Sequence, residues 1–385
     1  MESLRVQIER ILPGGVGLAH AEGKTVLVSL AAPGDRLRVQ VEREQGNVLF
    51  ASVLEVLTPS PVRVEPPCPY FGRCGGCDFQ QLTYEAQLAA KGAIIADCLQ
   101  RIARLDPLPP IVVHPSPNNW RYRVRATWQI DQEKREIGYY ERGSRRVCDV
   151  VDCAVLMPEL QATLEQVRAT EWSEFPPELK HLDVVAGENQ VSLSPAFAEF
   201  ETNDLVLRVG NEVYEYNAES FFQINPALLP ELVDFALSDA GGDTALDLYC
   251  GVGLFTLPLS RRFAKVLAIE GNPVATRFAR RNLQQAGLAN ARVVTANVAE
   301  GIRNVRDVDF ILLDPPRAGA ESVVIKGILN LRPTRISYVS CDPATLARDL
   351  KKLIAGGYSI ESIAGFDLFP QTHHVETVVL LRRSL

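Results

Sequence analysis

Residues 245–260 read ALDLYCGVGLFTLPLS: an apolar strand, a turn carrying Gly251 and Gly253, and the start of a helix. Glycine at such a turn lets the backbone approach a ligand at the carboxyl end of the strand. Nineteen residues beyond Gly251, the stretch KVLAIE ends in Glu270. An acid at that distance suits the hydroxyls of a ribose. A dinucleotide turn would carry a third glycine where Thr256 stands, so the dehydrogenase reading is weak. A bare strand–turn–helix with no ligand is the plain alternative.

Working outward, strand and helix patterns alternate from about residue 213 to the end, which predicts a parallel, doubly wound α/β sheet. With Asp247 and Cys250 inside the turn, the segment is similar to the nucleotide turn of S-adenosylmethionine methyltransferases. The next strands are ARVVTANVAEGI (291–302), with Asn297 where such folds contact adenine, and VDFILLDPPRAGA (308–320), with Asp314 at its end and Pro315-Pro316 stiffening the loop. RISYVSCDPATLARDL (335–350) then ends a strand in Cys341 and leads into a helix, whose dipole would favour a thiolate. A small buried residue packing the strand end is the alternative for Cys341. The last strand pair contains His373, His374 and Glu376. Glu376 faces the Cys341 edge if that hairpin is antiparallel, and His374 is the rival base; a solvated polar turn is the ordinary reading.

A cysteine and a base beside a methyl donor suit one chemistry in particular. Carbon 5 of uracil is too weak a nucleophile to attack a sulfonium methyl. A thiolate added at C6 makes an enolate with charge at C5, the methyl transfers, a base removes the C5 proton, and the thiol is expelled.

The N-terminal half reads differently. Residues 1–58 alternate in short strands with turns at Pro13-Gly14-Gly15, Pro33-Gly34-Asp35 and Gly46-Asn47, which predicts a five-stranded barrel of oligonucleotide-binding type. Residues 59–212 read as a proline-rich linker and a central domain. They open on Cys68-x5-Cys74-x2-Cys77, whose three thiolates with a fourth from Cys98, Cys148 or Cys153 suit zinc or a [4Fe–4S] cluster. Residues 79–105 have the pattern of one long helix ending before Pro107, free to pack on the catalytic domain of 213–385. Residues 118–146 hold eight Lys/Arg and four Asp/Glu, interleaved with Trp120, Tyr122, Trp128, Tyr139 and Tyr140. They read either as a stacking surface for single-stranded RNA or as a sheet with one charged and one aromatic core face.

Composition sets the outer bounds. The 385 residues exceed one domain, and 46% hydrophobic with 23% charged is an ordinary globular balance. A net charge of −7 argues against a generic polyanion binder. Nothing approaches 18 uninterrupted apolar residues, and MESLRVQIER lacks an apolar signal core. A cytoplasmic monomer without membrane contact is expected.

Taken together, CPYFGRCGGC (68–77), ESFFQINP (219–226), LDLYCGVGLFTLPL (246–259), IEGNP (269–273), LDPPRAG (313–319), SCDPATLARDL (340–350) and HHVET (373–377) occur in the order found in the RNA uracil-5 methyltransferases. The chain resembles in particular the bacterial iron–sulfur type that methylates 23S ribosomal RNA, over essentially its whole length. The resemblance implies a Rossmann-like S-adenosylmethionine methyltransferase domain, an N-terminal OB/TRAM-type β-barrel and a central iron–sulfur α+β region. It implies that Cys68, Cys74, Cys77 and Cys153 hold a [4Fe–4S] cluster, and that Gln223, Tyr249, Gly251, Glu270, Asn297 and Asp314 bind S-adenosylmethionine. Cys341 would be the nucleophile and Glu376 the base, with Phe221 or Phe222 close to the target uracil. Leu254 stands where the family often has a polar cofactor contact, and the barrel carries six Lys/Arg against seven Asp/Glu. The alternatives are a transfer-RNA T-loop uridine as target, or a non-catalytic RNA-binding iron–sulfur protein.

Overall fold

The computed structural model describes residues 3–238 and 240–384. Strands β1 (Ser3–Gln7), β2 (Arg10–Leu12), β3 (Val16–Ala21), β4 (Lys24–Val28), β5 (Arg36–Gln45) and β6 (Val48–Thr58) form one sheet in the order β1-β5-β6-β4-β3-β2. β1 and β2 are separated only by Ile8 and Glu9, so one bent strand supplies both edges and closes the barrel. The expected five strands become six because that strand is broken at the bend. Alternating Leu4, Val6, Val26, Val28, Leu37 and Val39 fill the interior.

The cysteine-rich loop follows, and then α1 (Tyr84–Cys98). The helix is shorter than 79–105. Thr83 accepts a hydrogen bond from Ala86 N and caps it, while Leu99–Ala103 continues as one π-helical turn. Its inner face, with Ile95, Cys98 and Leu99, packs into the catalytic core beside Leu346, Leu350 and Leu353. β7 (Ile111–His114) also joins the catalytic sheet, pairing parallel with a C-terminal strand, although its sequence lies in the expected central region.

The central sheet is antiparallel: β8 (Arg125–Asp131), β9 (Glu136–Tyr140), β10 (Val147–Asp149), β11 (His181–Ala186) and β12 (Val191–Ser194), in the order β10-β9-β8-β11-β12. Helix α2 (Pro158–Ala169) covers one face. Trp128 and Tyr122 are buried and Tyr139 packs against the same core. Trp128 and Tyr139 therefore belong to a sheet interior rather than a stacking platform, Tyr122 is buried against Pro370, Trp120 is half-buried and Tyr140 is exposed.

A hairpin of β13 (Leu205–Val209) and β14 (Glu212–Tyr216) leads to α3 (Leu229–Ala236). The boundary expected at 212/213 thus falls within β14. The catalytic sheet comprises β15 (Gly242–Leu248), β16 (Phe263–Glu270), β17 (Ala291–Thr295), β18 (Phe310–Leu313), β19 (Arg335–Ser340), β20 (Tyr358–Phe366) and β21 (Glu376–Arg383) together with β7, in the order β17-β16-β15-β18-β19-β21-β20-β7. β15 to β19 are mutually parallel, and β21 runs antiparallel between β19 and β20. Helices α4 (Thr256–Ser260), α5 (Pro273–Gln285), α6 (Val298–Gly301), α7 (Ser322–Leu331) and α8 (Pro343–Ala355) cross between the strands. Ala245–Leu248 and Phe310–Leu313 are buried on both faces, which explains their unbroken apolar runs. No helix among the described residues is long and apolar enough to cross a membrane.

Candidate active site

The turn after β15 is conformationally demanding. Tyr249, Gly251 and Gly253 have φ of 64°, 55° and 99°, and Tyr249 takes up a left-handed conformation that side-chain-bearing residues seldom adopt. Glu270, at the end of β16, ties the turn down: its Oε2 accepts from Gly251 N at 3.1 Å and its Oε1 from Asn272 N at 2.7 Å. Asn272 also caps α5, accepting from Val274 N and Ala275 N, with Pro273 in the first turn.

A cleft of about 570 Å³ opens at the carboxyl edge of this sheet. Of the residues expected to bind the donor or to act as nucleophile or base, Gln223, Tyr249, Glu270, Asp314, Cys341 and Glu376 line it. Gln223 Nε2 lies 3.5 Å from Asp314 Oδ2. The β19–β21 register pairs Ser340 with Thr377, so the next residues out, Cys341 and Glu376, come opposite each other at the sheet edge. Phe221 lies at the cleft and is 61% exposed, whereas Phe222 is buried on Tyr216. Gly251 is not part of the lining, but its N–H is bonded to Glu270, which is. Asn297 is exposed outside the lining and caps α6, accepting from Ala299 N at 2.8 Å.

The cleft's electrostatics are those of crowded, desolvated acids. Asp314 is pushed up to about 7 by burial, with Asp247 and Glu270 adding repulsion. Asp247, beneath the turn, is likewise raised to about 7 by burial; its Oδ2 accepts from Thr256 Oγ1 while its Oδ1 has no partner. Glu376 is 2% exposed, its Oε1 has no hydrogen-bond partner, and burial and Asp314 hold its acid well above the usual range. The Cys341 thiol is raised to about 12 by burial, then by Glu376 and Asp314. The helix dipole does not rescue it, because Asp342 Oδ1 already accepts from Ala344 N and Thr345 N at the start of α8. The protein alone holds a neutral thiol. His374 is lowered to about 3 by burial and its neighbours His373 and Arg317, which makes it a poor proton acceptor, and it does not line the cleft.

Sequence reading passed over Arg125, Arg317 and Phe369, which also line the cleft. Arg317 was within reach, three residues after Asp314 in the same loop. Arg125 comes from the central sheet, where its guanidinium donates to Ser220 O and Ala218 O, and only the tertiary fold brings it here.

A second cavity gathers Cys68, Cys74, Cys77 and Cys153. Cys98 is buried in the catalytic core, and Cys148, buried on β10, is not part of the cavity lining. No group of three or more His, Cys, Asp or Glu among the described residues converges to hold a single metal ion. Burial raises the Cys74 thiol to about 11 and the Cys77 thiol to about 12. The same cavity is lined by Arg123 and Tyr139, whose Nε and hydroxyl are buried without a partner. A buried cation and an orphaned donor facing four sulfurs fit an anionic, thiolate-bound group spread across the cavity.

Comparison with known proteins bears on the cleft. A family model described as tRNA (Uracil-5-)-methyltransferase matches residues 196–384, and one for the TRAM domain of tRNA (uracil(54)-C(5))-methyltransferase matches residues 4–62. A Pectobacterium atrosepticum protein named 23S rRNA (uracil(1939)-C(5))-methyltransferase RlmD is 33% identical, over 98% of this chain and 93% of its own. Its Chromohalobacter salexigens namesake is 34% identical over 98% and 89%. Among solved structures, Pyrococcus abyssi tRNA (uracil-54, C5)-methyltransferase in complex with S-adenosyl-L-homocysteine superposes with a TM-score of 0.77 at 26% identity, covering 98% of this chain and 100% of that one.

Proposed function

The chain belongs to the RNA uracil-5-methyltransferase family, and on that premise we propose that it methylates carbon 5 of a uridine in 23S ribosomal RNA through a transient Cys341 adduct. The observation that carries this reading is the β19–β21 register, which sets Cys341 opposite Glu376 in one acidic cleft. S-adenosylmethionine supplies an electrophilic methyl on a cationic sulfonium. Crowded carboxyls at Asp314 and Glu270 suit that cation, and Gln223, Tyr249 and the Gly251 turn complete its seat. Asn297 sits on the same sheet edge, outside the cleft lining, and is the weakest of the proposed donor contacts.

The chemistry follows from the charges. Positive charge beside Asp314 and Glu376 offsets the burial and the repulsion that together keep the carboxyls and the Cys341 thiol protonated. Cys341 then adds to C6 as a thiolate, C5 attacks the methyl, Glu376 accepts the C5 proton, and the C6–sulfur bond breaks. The target base must leave its stack for a thiol at the floor of a cleft to reach it. Phe221 and the guanidinium of Arg125, 5.9 Å from its ring centroid, offer an exposed platform at the mouth.

Donor affinity should depend on pH with a definite sign. Asp314 titrates near 7 without a ligand, and a bound cation favours its ionised form. Affinity should therefore rise with pH, by up to about tenfold per unit, and level off above about pH 7. Calorimetry across that range checks it: a flat or falling profile contradicts the role given to Asp314, and Asp314→Asn should flatten the slope.

In the second cavity, Cys68, Cys74, Cys77 and Cys153 would hold a [4Fe–4S] cluster, with Arg123 balancing its charge. The cluster would supply a rigid cross-link between the cysteine loop and the central sheet. Cys77→Ser should strip iron and visible absorption, whereas Cys98→Ser should retain both. Equal iron content in the two purified proteins rejects this ligand set.

Two relatives named for 23S rRNA match nearly the whole chain, which favours ribosomal RNA; the transfer-RNA enzyme of known structure keeps the second target in view. Mapping 5-methyluridine in 23S rRNA and in tRNA, each incubated with protein and labelled donor, separates them. Label confined to tRNA overturns the ribosomal reading.

A further inference from the structure

Glu376 is the first residue of β21, paired with Phe366 of β20, and the loop 367–375 leads directly into it; residues far away in sequence hold that loop. Asp78 N and Phe79 N donate to Gln371 O at 3.1 and 3.0 Å. Gln87 exchanges two bonds with Gln371, Tyr122 donates to Pro370 O, and Lys91 Nζ donates to Phe369 O. Gln371 sits at φ 69°, a conformation the surrounding bonds must enforce.

His373 is tied to the cysteine loop just ahead of Val375, which is buried in the core next to Glu376. Its N donates to Asp78 Oδ1 at 2.8 Å, and its Nδ1 lies 2.5 Å from Asp78 Oδ2. Asp78 directly follows Cys77. On the opposite side stands Gly15 of the barrel, at φ 74°, where an added Cβ would come 2.9 Å from His373 Cβ. Barrel, cysteine loop and catalytic loop therefore meet on one imidazole, which does not itself line the cleft.

We propose that Asp78 and His373 are positioning residues that hold Glu376 in place for removal of the C5 proton, so that the cysteine loop and the barrel act on the elimination step. This rests on Glu376 being the base. In that step the C5–H bond breaks and its proton goes to the Glu376 carboxylate. The electron pair forms the C5=C6 bond, and the C6–sulfur bond breaks to release the Cys341 thiolate. Methyl transfer precedes it and depends on Cys341, at the end of β19, and on a donor seat formed by Gln223, Tyr249, Glu270 and Asp314, none of which lies on the loop 367–375 or on β21. A misplaced base should slow elimination while sparing transfer.

The test uses the full-length protein with a 23S rRNA fragment and labelled donor, following methyl transfer in a single turnover and the lifetime of the covalent protein–RNA adduct on a denaturing gel. His373→Ala should lengthen the adduct lifetime about 10- to 100-fold, with transfer within about threefold of the parent. His373→Asn, whose amide can still donate to Asp78, should restore most of the loss. Gly15→Ala, which crowds the same ring from the barrel, should also lengthen the lifetime, and it gives a second route should His373→Ala fold poorly. If lifetime is unchanged in both His373→Ala and Gly15→Ala, or if transfer and elimination fall together, the proposal is overturned. Glu376→Gln run alongside separates the two layers: no adduct in that variant rejects the base assignment, whereas adduct there but not in the His373 and Gly15 variants rejects only the positioning role.

Discussion

Cys341→Ala should lower methyl transfer to RNA at least about 10,000-fold while leaving S-adenosylmethionine binding within about twofold. The size follows from the chemistry: without addition at C6, carbon 5 lacks the electron density to attack a methyl group, and no neighbouring side chain can substitute. Selectivity follows from the structure. The Cys341 thiol is held neutral, at about 12, by burial and by Glu376 and Asp314, so its removal takes no charge from the donor's seat. Single-turnover assays with labelled donor, paired with calorimetry, measure both quantities. Retained transfer in this variant would end the adduct mechanism.

Glu376→Gln carries the second large effect and a different signature. Transfer should proceed, but the C5 proton then has no acceptor, and a covalent protein–RNA species should persist through denaturing electrophoresis. Turnover should fall about 100- to 10,000-fold, the usual contribution of a general base. Folding should be spared. Glu376 is buried with a carboxyl held protonated in the free protein, and glutamine matches that neutral form in size. His374 is a poor substitute, since burial and its neighbours hold it near 3. Product release at the parent rate would falsify the assignment of Glu376.

Several features of the site were legible because they are local. The Asp342-Pro343 pair marks the start of α8, since a carboxylate that accepts from two helix N–H groups and a proline without an N–H both belong there. That places Cys341 at a strand end. The same local reading misjudged its consequence: the carboxylate that starts the helix also occupies the N–H groups that would have favoured a thiolate. Asn297 was identified by its place after the third strand, and its side chain is engaged in capping α6. The tryptophans and tyrosines of 118–146 have a composition that suits RNA stacking and a sheet core equally, and Trp128 and Tyr139 are taken up by the core.

From sequence alone came the order of elements, the apolar runs that must become buried parallel strands, the glycine turn, and the residues able to carry acid, thiol and cluster chemistry. Each depends on neighbours a few positions apart, where backbone sterics and hydrogen bonding operate. Which of those residues meet was left to the tertiary structure. The antiparallel insertion of β21 beside β19 joins Cys341 to Glu376, β7 and α1 leave the central region to complete the catalytic layer, and Asp78 reaches across 295 positions to His373. Such pairings depend on register and burial between distant segments, and a desolvated carboxyl acquires its unusual proton affinity only once those segments have closed around it.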